Sequence, residues 1–374
     1  MEAFLSVLVY RDGMKDRLRH VDIAKGIAII LVVLVHNRLV MHDRGKLFNI
    51  LSSFLLPLFF FLSGIFFKPT EPFKRILIRR ADSLLKPYYV TLLMLGAAYF
   101  LIRNERLWEY LFGVLYGNGA TIKWVPLWFL PHLYLITLYS WCFLAITRLD
   151  QCGYLPKLLW LLGLFSIGFV VRDFFWNMPV KINGENLQLF GRDFLLPGLP
   201  FSLDLVFLTA IYFLLGHFVK QKMLGFTWNP KLFWMALITF SLTHYGSDAT
   251  IDYNERLFDN LALSTAQALL GIYMVISLSA FISNFNFLSR LLSRMAEATL
   301  LILIFHWSIQ ENTFRFLNAL LGGLEPICAV GSFMIGLCFP FLVKSFIDRF
   351  RILQLMYYPI KSSKIRTRDP IENL

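Results

Sequence analysis

A lysine and a histidine lie inside one apolar segment near the start of the chain. Lys25 and His36 are eleven residues apart, and at about 100° per residue this spacing places both on one face of a helix. Their separation along the helix axis is about 16 Å, roughly half the ~30 Å hydrocarbon thickness of a bilayer. Ionisable side chains at that depth are costly, so we expect this pair to face protein or water and to carry out chemistry.

His36 is the better catalytic candidate of the two. Imidazole titrates near neutral pH, which suits a general base that removes a proton from a hydroxyl group. Asp22 shares the predicted face and is assigned to the same catalytic group. Simpler interpretations remain open. Lys25 could extend from the helix end to the membrane surface, Asp22 could cap the helix, and His36 could be a packing residue.

A second candidate site is a basic cluster between positions 68 and 87. Arg75 and Arg79 are four residues apart and Arg80 is adjacent, so one helical turn would present a compact cationic patch. Guanidinium groups bind phosphate through paired hydrogen bonds. Together with Lys25 on the same membrane face, the cluster predicts a docking site for a phosphorylated cytosolic cofactor. Anchoring to anionic lipid headgroups is the alternative.

The composition places the chain among membrane proteins. Of its 374 residues 57% are hydrophobic, above the ~45–50% apolar content of soluble domains, and the mean hydropathy is +0.61. The net charge of +12 is interpreted mainly as a signal of membrane orientation, so no nucleic-acid partner is expected. The four cysteines have no paired spacing, and neither a disulfide framework nor a metal site is expected.

We predict an all-α, polytopic integral membrane bundle with about ten transmembrane helices. The candidate spans are 22–41, 47–67, 84–102, 126–147, 155–172, 203–219, 231–246, 262–284, 298–321 and 326–347. The predicted organisation is a cytoplasmic segment at 1–21, a membrane domain at 22–347 and a basic cytoplasmic tail at 348–374.

The basic residues predict the orientation of these spans. An even number of spans leaves both termini on one side, where 24 of the 36 Lys and Arg residues fall, against ten on the other side. Cytoplasmic loops carry such an excess. Both termini are therefore predicted to be cytoplasmic.

Four blocks in order resemble the acyltransferase 3 integral membrane enzymes. The Lys25-x10-His36 spacing is similar to the family's Arg/Lys-x10-His signature. The other blocks are Phe-x-x-Ser-Gly within 56–67, Leu-Trp-Phe-Leu within 126–131, and a late span ending in Phe-His at 299–306. The resemblance covers roughly residues 17–347 and is closest to the fucose 4-O-acetylase-like branch. It departs from the family where Arg-x-x-Arg becomes Arg75-x-x-x-Arg79-Arg80, and where Ala-Glu-Ala replaces Gly-x-Asn before Thr299.

The resemblance implies transfer of an acyl group, usually acetyl from acetyl-CoA, to a hydroxyl of a cell-envelope saccharide or lipid-linked glycan. It also implies the bacterial inner membrane as the location. Lys25 and the arginine cluster would bind the phosphates of coenzyme A, and His36 would act as the general base. Direct transfer and a covalent acyl-His36 intermediate both remain open. No metal is implied, and the oligomeric state is not predicted.

Three further residues are assigned to the substrate side of the predicted site. Trp128 is interpreted as a lid over the substrate or as an interfacial aromatic anchor. His306 lies within the ninth span, where it could face His36 or bond to a neighbouring helix. Ser63 is a candidate oxyanion donor, although Ser63-Gly64 is more typical of a close helix contact.

A transporter or flippase for an envelope precursor is the alternative function. Such a protein would be expected to show inverted repeats, and no second copy of the Lys25–His36 pattern occurs. A purely structural subunit would leave that pair unexplained. The long outer loop at 173–200 is a candidate acceptor surface, and Asp204 is interpreted as an acid favoured by the dipole at a helix start.

Overall fold

The computed structural model describes residues 19–41, 44–103, 107–172, 174–182, 185–247 and 251–360. Most of the predicted N-terminal segment, and the tail from 361 onward, therefore lie outside the described residues. The α-helices are α1 (Arg19–Val35), α2 (Arg38–Met41), α3 (Lys46–Ile65), α4 (Phe73–Arg80), α5 (Lys86–Arg103), α6 (Leu107–Tyr116), α7 (Phe129–Thr147), α8 (Tyr154–Val171), α9 (Val206–Phe218), α10 (Lys220–Leu224), α11 (Pro230–Tyr245), α12 (Leu261–Ile282), α13 (Asn286–Glu297), α14 (Thr299–Leu320), α15 (Glu325–Arg349) and α16 (Arg351–Tyr357).

Shorter elements connect these helices. A π-helical turn at Ala81–Leu85 joins α4 to α5, and 3₁₀ turns lie at Val125–Trp128, Leu149–Gln151 and Pro200–Leu205. The short strands are β1 (Trp176–Pro179), β2 (Lys181–Ile182), β3 (Glu185–Asn186), β4 (Gln188–Leu189), β5 (Arg192–Asp193), β6 (Leu195–Pro197), β7 (Ile251–Asp252) and β8 (Leu257–Phe258). They pair antiparallel as β1–β6, β2–β3, β4–β5 and β7–β8. Within the described ranges, sheet is therefore confined to the loops between α8 and α9 and between α11 and α12.

Six of the described helical segments are long and apolar enough to cross a membrane. They are Lys46–Ile65, Val125–Thr147, Tyr154–Val171, Pro200–Phe218, Leu261–Ile282 and Glu325–Arg349. The other four predicted spans also fall on helices, namely α1, α5, α11 and α14. The all-α prediction is confirmed, six of the spans are supported by length and apolarity within the described residues, and the count of about ten stays a prediction.

Local sequence signals explain where several helices begin. The side-chain oxygen of Asn229 accepts a hydrogen bond from the amide of Leu232 at the start of α11, and Pro230 occupies the first helical position. Asn260 caps α12 in the same way through the amide of Leu263. Such caps satisfy amides that have no partner within the helix.

The described chain divides into two compact units. The first takes in the described residues up to Phe67, together with Tyr212–Tyr253 and Leu257–Phe341. In this unit α1 packs against α3, α12, α13 and α14, and α12 also packs against α3 and α11. Residues of α1 such as Ile23, Ile29 and Val33 are fully buried. The helix that carries Lys25 is thus central to the first unit.

Two glycines allow α3 and the later part of α9 to approach backbone to backbone in the first unit. A Cβ atom added at Gly64 would collide with the carbonyl oxygen of Phe213. One added at Gly216 would collide with the carbonyl oxygen of Phe61. Small residues permit this close helix contact, so the helix-packing interpretation of Ser63-Gly64 is confirmed.

Gly64→Ala is expected to lower the free energy of unfolding by about 1–3 kcal/mol, because the added methyl group forces the two backbones apart. Gly163→Ala on α8 is the matched control, since a Cβ at that position meets no atom within 4 Å, and alanine is the better helix former. Thermal unfolding of the purified protein in detergent measures both variants. Equal stabilities would contradict the close contact.

The second unit comprises Lys68–Ile211, Asn254–Arg256 and the described residues from Leu342 onward. In it α7 packs against α4, the π-helical turn and the Pro200–Leu205 turn, while α5 packs against α6 and α16. Asp82 ties the end of the described chain to this unit. Its carboxylate accepts from Lys86 at 2.6 Å and from the amide of Ile360 at 2.8 Å. Lys86 also donates to the carbonyl of Tyr358.

Candidate active site

Lys25 and Asp22 lie on the first turns of α1 and pair with each other. Nζ of Lys25 is 3.5 Å from Oδ1 of Asp22 and 3.9 Å from the ring centroid of Phe66. Because α1 begins at Arg19, Asp22 belongs to the first turn of the helix and is not its cap. The Lys25 side chain remains 29% exposed.

His36 directly follows the last residue of α1. The sequence predicted one continuous span over 22–41, but the helix ends at Val35 and resumes as α2 at Arg38. Nδ1 of His36 lies 2.8 Å from the carbonyl oxygen of Val32. A carbonyl only accepts hydrogen bonds, so Nδ1 carries the proton of the neutral ring and Nε2 holds the lone pair. A general base acting through Nε2 requires this tautomer.

His306 on α14 lies beside His36 in the first unit. The two ring centroids are 5.0 Å apart and the ring planes meet at 73°. Nδ1 of His306 lies 2.8 Å from the carbonyl oxygen of Ile302, which fixes the same tautomer. Its Nε2 is buried and has no hydrogen-bond partner among the described residues. The site thus contains two neutral imidazoles, each with an Nε2 lone pair.

Ser63 is half-buried one residue before the close contact at Gly64. Both residues belong to the first unit, as do Lys25 and His36. No geometry in the described residues links the Ser63 hydroxyl to either imidazole. Its assignment as an oxyanion donor therefore stays a prediction.

The three arginines of the cationic cluster differ in their surroundings. Arg75 is exposed on α4, and Arg79 donates to Glu71 at 2.9 Å. Nε of Arg80 is buried without a hydrogen-bond partner among the described residues. Burial and the neighbouring charge of Arg79 lower the pKa of Arg80, against an opposing effect of Glu71. Arg80 is thus a partly buried cation whose Nε lacks a hydrogen-bond partner among the described residues, which favours an anionic partner there.

The sequence reading missed the residues that hold this cluster. Trp141 on α7 donates from its indole nitrogen to the backbone carbonyl of Glu71 at 2.9 Å. Its ring also packs against Phe73, with centroids 4.9 Å apart. The contact with Glu71 spans seventy positions, and no local pattern predicts a contact of that range.

Trp128 ends the 3₁₀ turn Val125–Trp128 in the second unit. It is only 4% exposed, so the interfacial-anchor interpretation is wrong. Its ring lies 5.4 Å from that of His132. The two ring nitrogens of His132 are held by the carbonyl of Phe201 and the hydroxyl of Thr209, each at 3.0 Å. These bonds give His132 a structural environment, and a substrate role for Trp128 stays a prediction.

Asp204 does not act as a simple helix-start acid. It forms a fully buried ion pair with Arg256, whose Nε lies 3.0 Å from Oδ2 of Asp204. The other carboxylate oxygen accepts from the amide of Leu199 at 2.8 Å. The guanidinium also lies 4.5 Å from the ring of Trp176. These contacts join four positions of the second unit, Trp176, Leu199, Asp204 and Arg256, which the sequence alone did not predict.

No group of three or more His, Cys, Asp or Glu side chains within the described ranges could hold a metal ion. In the first unit the imidazoles of His36 and His306 can remove a proton from a hydroxyl group. In the second unit the arginine cluster can bind phosphate.

Comparison with known proteins agrees with this chemistry. Neither a search of curated proteins nor a search of solved structures finds a match to the chain. A family model described as an acyltransferase domain matches residues 18–343, which includes both imidazoles and the arginine cluster. The chain therefore belongs to the acyltransferase 3 family of membrane acyltransferases.

Proposed function

We propose that the protein is a membrane O-acyltransferase that moves an acyl group, with acetyl as the first candidate, from acyl-CoA to a hydroxyl group. The acceptor is a cell-envelope saccharide or a lipid-linked glycan, as in the fucose 4-O-acetylase-like branch. The observation that carries the proposal is the pair of imidazoles in the first unit, 5.0 Å apart, each with its proton on Nδ1. An imidazole with its proton on Nδ1 has a lone pair on Nε2. That lone pair can remove the proton of the acceptor hydroxyl, which O-acylation requires first.

The proposed reaction uses Nε2 of His36 as the base. Nε2 takes the proton of the acceptor hydroxyl as its oxygen attacks the thioester carbonyl. The new C–O ester bond forms and the C–S bond breaks, and the imidazolium returns its proton to the coenzyme A thiolate. In the covalent variant Nε2 attacks the thioester carbonyl, the C–S bond breaks and the coenzyme A thiolate leaves. The acceptor oxygen then attacks the acyl group on His36, the C–N bond breaks, and the hydroxyl proton passes to the thiolate.

Lys25, Arg75, Arg79 and Arg80 are proposed to bind the phosphates of acyl-CoA. The support is chemical, because coenzyme A is polyanionic and arginine binds phosphate bidentately. Arg80 is the strongest candidate since its buried Nε has no partner among the described residues. The proposed location is the bacterial inner membrane with about ten spans and both termini in the cytoplasm, which places these cations on the side where acyl-CoA occurs.

Arg80→Ala is expected to raise the KM for acetyl-CoA about tenfold, because a charge-assisted contact worth about 1.4 kcal/mol is lost. Arg79→Ala should have a smaller effect, since Arg79 already pairs with Glu71. Lys74→Ala, which removes an exposed charge from the same helix, is the matched control. Initial rates in inverted membrane vesicles give the constants. An unchanged KM in Arg80→Ala would show that Arg80 does not bind coenzyme A.

The proposed function is tested by comparing ester content in envelope glycans from cells with and without the gene. Mass spectrometry should find an acyl ester that disappears in the deletion strain and returns with the wild-type gene. Unchanged esters together with accumulation of an unmodified glycan precursor on the cytoplasmic face would instead support the transporter alternative.

A further inference from the structure

We propose that Gln310 and Asn37 are positioning residues that hold His36 in its Nδ1–H tautomer and beside His306. The inference rests on the proposed function for its catalytic meaning, while its structural content concerns only the first unit. Both amide side chains are buried, at 3% and 4% exposure, and they hydrogen-bond to each other. Their effect on the reaction is exerted through His36.

The hydrogen bonds at the end of α1 explain why such residues are needed. In a continuing helix the amide of Asn37 would bond to the carbonyl of Val33. Here it bonds to the carbonyl of Leu34 at 3.0 Å instead, which leaves the Val33 carbonyl without its helical donor. Gln310 replaces that donor, because its Nε2 lies 2.9 Å from the Val33 oxygen. The helix end is therefore closed by a side chain from α14.

The carbonyl of Val32, one residue earlier, accepts from His36 itself. The backbone amide of His36 is 3.3 Å from the Val32 oxygen, at the long end for such a bond, and the ring Nδ1 lies closer, at 2.8 Å. His306 makes the same ring contact within α14, so the contact itself does not need a helix end. At His36 it is made on the last turn of α1, and Gln310 and Asn37 hold that turn in place.

Asn37 fixes this helix end to two further helices. Its Nδ2 donates to Oε1 of Gln310 at 3.2 Å and to the carbonyl of Ala329 on α15 at 2.9 Å. Its Oδ1 accepts from the amide of Leu39 at 3.3 Å, at the start of α2. Every polar group of this amide therefore has a partner, as a buried amide requires.

Gln310 also links His36 to the second imidazole. It lies four residues after His306 on α14, and therefore on the same face of that helix. A Cβ atom added at Gly336 of α15 would collide with Cγ of Gln310, so the Gln310 side chain is confined between helices. One confined amide thus contacts α1 next to His36 and follows His306 by one turn.

The activity test uses Gln310→Glu and Gln310→Met. The carboxylate cannot donate to the Val33 carbonyl, and methionine keeps the volume without any hydrogen bond. We expect kcat for transfer from radiolabelled acetyl-CoA to native membrane glycan to fall about 10- to 100-fold, with KM for acetyl-CoA unchanged. Asn312→Ala, an exposed amide on the same helix, is the control and should retain wild-type kinetics. Wild-type kcat in both Gln310 variants would overturn the proposal.

A second measurement does not depend on activity. Solid-state NMR of ¹⁵N-histidine-labelled protein in bilayers separates protonated from unprotonated ring nitrogens, and a His36→Gln variant assigns the His36 signals. We expect wild-type His36 to be protonated on Nδ1 and unprotonated on Nε2, and Gln310→Met to show a mixture of tautomers. An unchanged tautomer in Gln310→Met, or the opposite tautomer in the wild type, would refute the positioning role.

The two measurements distinguish failure of the proposed function from failure of the positioning role. If the wild-type protein transfers no acyl group from acetyl-CoA but the tautomer shifts in Gln310→Met, the proposed function fails and the positioning role stands. If transfer occurs but neither kcat nor the tautomer responds to Gln310, the proposed function stands and the positioning role fails.

Discussion

His36→Ala is expected to lower kcat for acyl transfer by about 10²- to 10⁴-fold, the usual contribution of a general base. The remaining site would still bind acyl-CoA, because the proposed phosphate ligands are unchanged. Release of labelled acetate from envelope glycans by mild alkali measures the transfer. The effect should be at the upper end of this range if His36 also forms the acyl intermediate.

The control for this experiment is Arg315→Ala on α14. Arg315 is largely exposed and pairs with Glu311 at 2.8 Å, and exposed ion pairs contribute little to stability. This variant should therefore match the wild type in membrane abundance and activity. Normal acylation in His36→Ala at wild-type abundance would show that His36 is not the general base. If the variant protein is lost instead, the abundance measurement detects the loss.

Arg256→Ala is expected to lower the free energy of unfolding by about 3–5 kcal/mol. The substitution leaves the carboxylate of Asp204 buried without its counter-ion, which costs more than the ion pair contributes. The double variant Asp204→Asn with Arg256→Met removes both charges and should be more stable than Arg256→Ala alone. Denaturant titration in detergent micelles measures each protein. A single variant as stable as the wild type would show that the pair is not buried in solution.

The pattern around Lys25 and His36 could be found from the sequence because polarity inside an apolar segment is unusual. The end of α1 at Val35 could not be predicted from the sequence. The Val33 carbonyl left open at that end is bonded by Gln310, and Asn37 and Gln310 are 273 positions apart. A single sequence contains no local signal for a contact of that range.

The difference between about ten predicted spans and six apolar segments has a physical origin. Helix α1 has 17 residues and includes Asp22 and Lys25, and α11 has only 16 residues. Helix α14 is long enough but carries polar side chains such as His306 and Gln310. Helix α14, which carries His306, and helix α1, which His36 directly follows, are thus more polar than the six apolar segments.

The cationic cluster was predictable as a charge pattern but not as a set of unequal sites. Spacing alone makes Arg75, Arg79 and Arg80 equivalent. Glu71 pairs with Arg79, whereas Nε of Arg80 is buried. Only the packing of α4 distinguishes them, since burial depends on neighbours that are distant in sequence.

The attachment of Asp82 to the amide of Ile360 affects how reporter fusions should be built. A fluorescent or phosphatase tag joined after Ile360 leaves both anchoring bonds of Asp82 in place. A truncation before Tyr358 would remove the carbonyl that Lys86 binds and would free the π-helical turn that follows Arg80. Shortened fusions would then report on a perturbed region next to the arginine cluster as well as on membrane topology, so orientation mapping should keep the chain through Ile360.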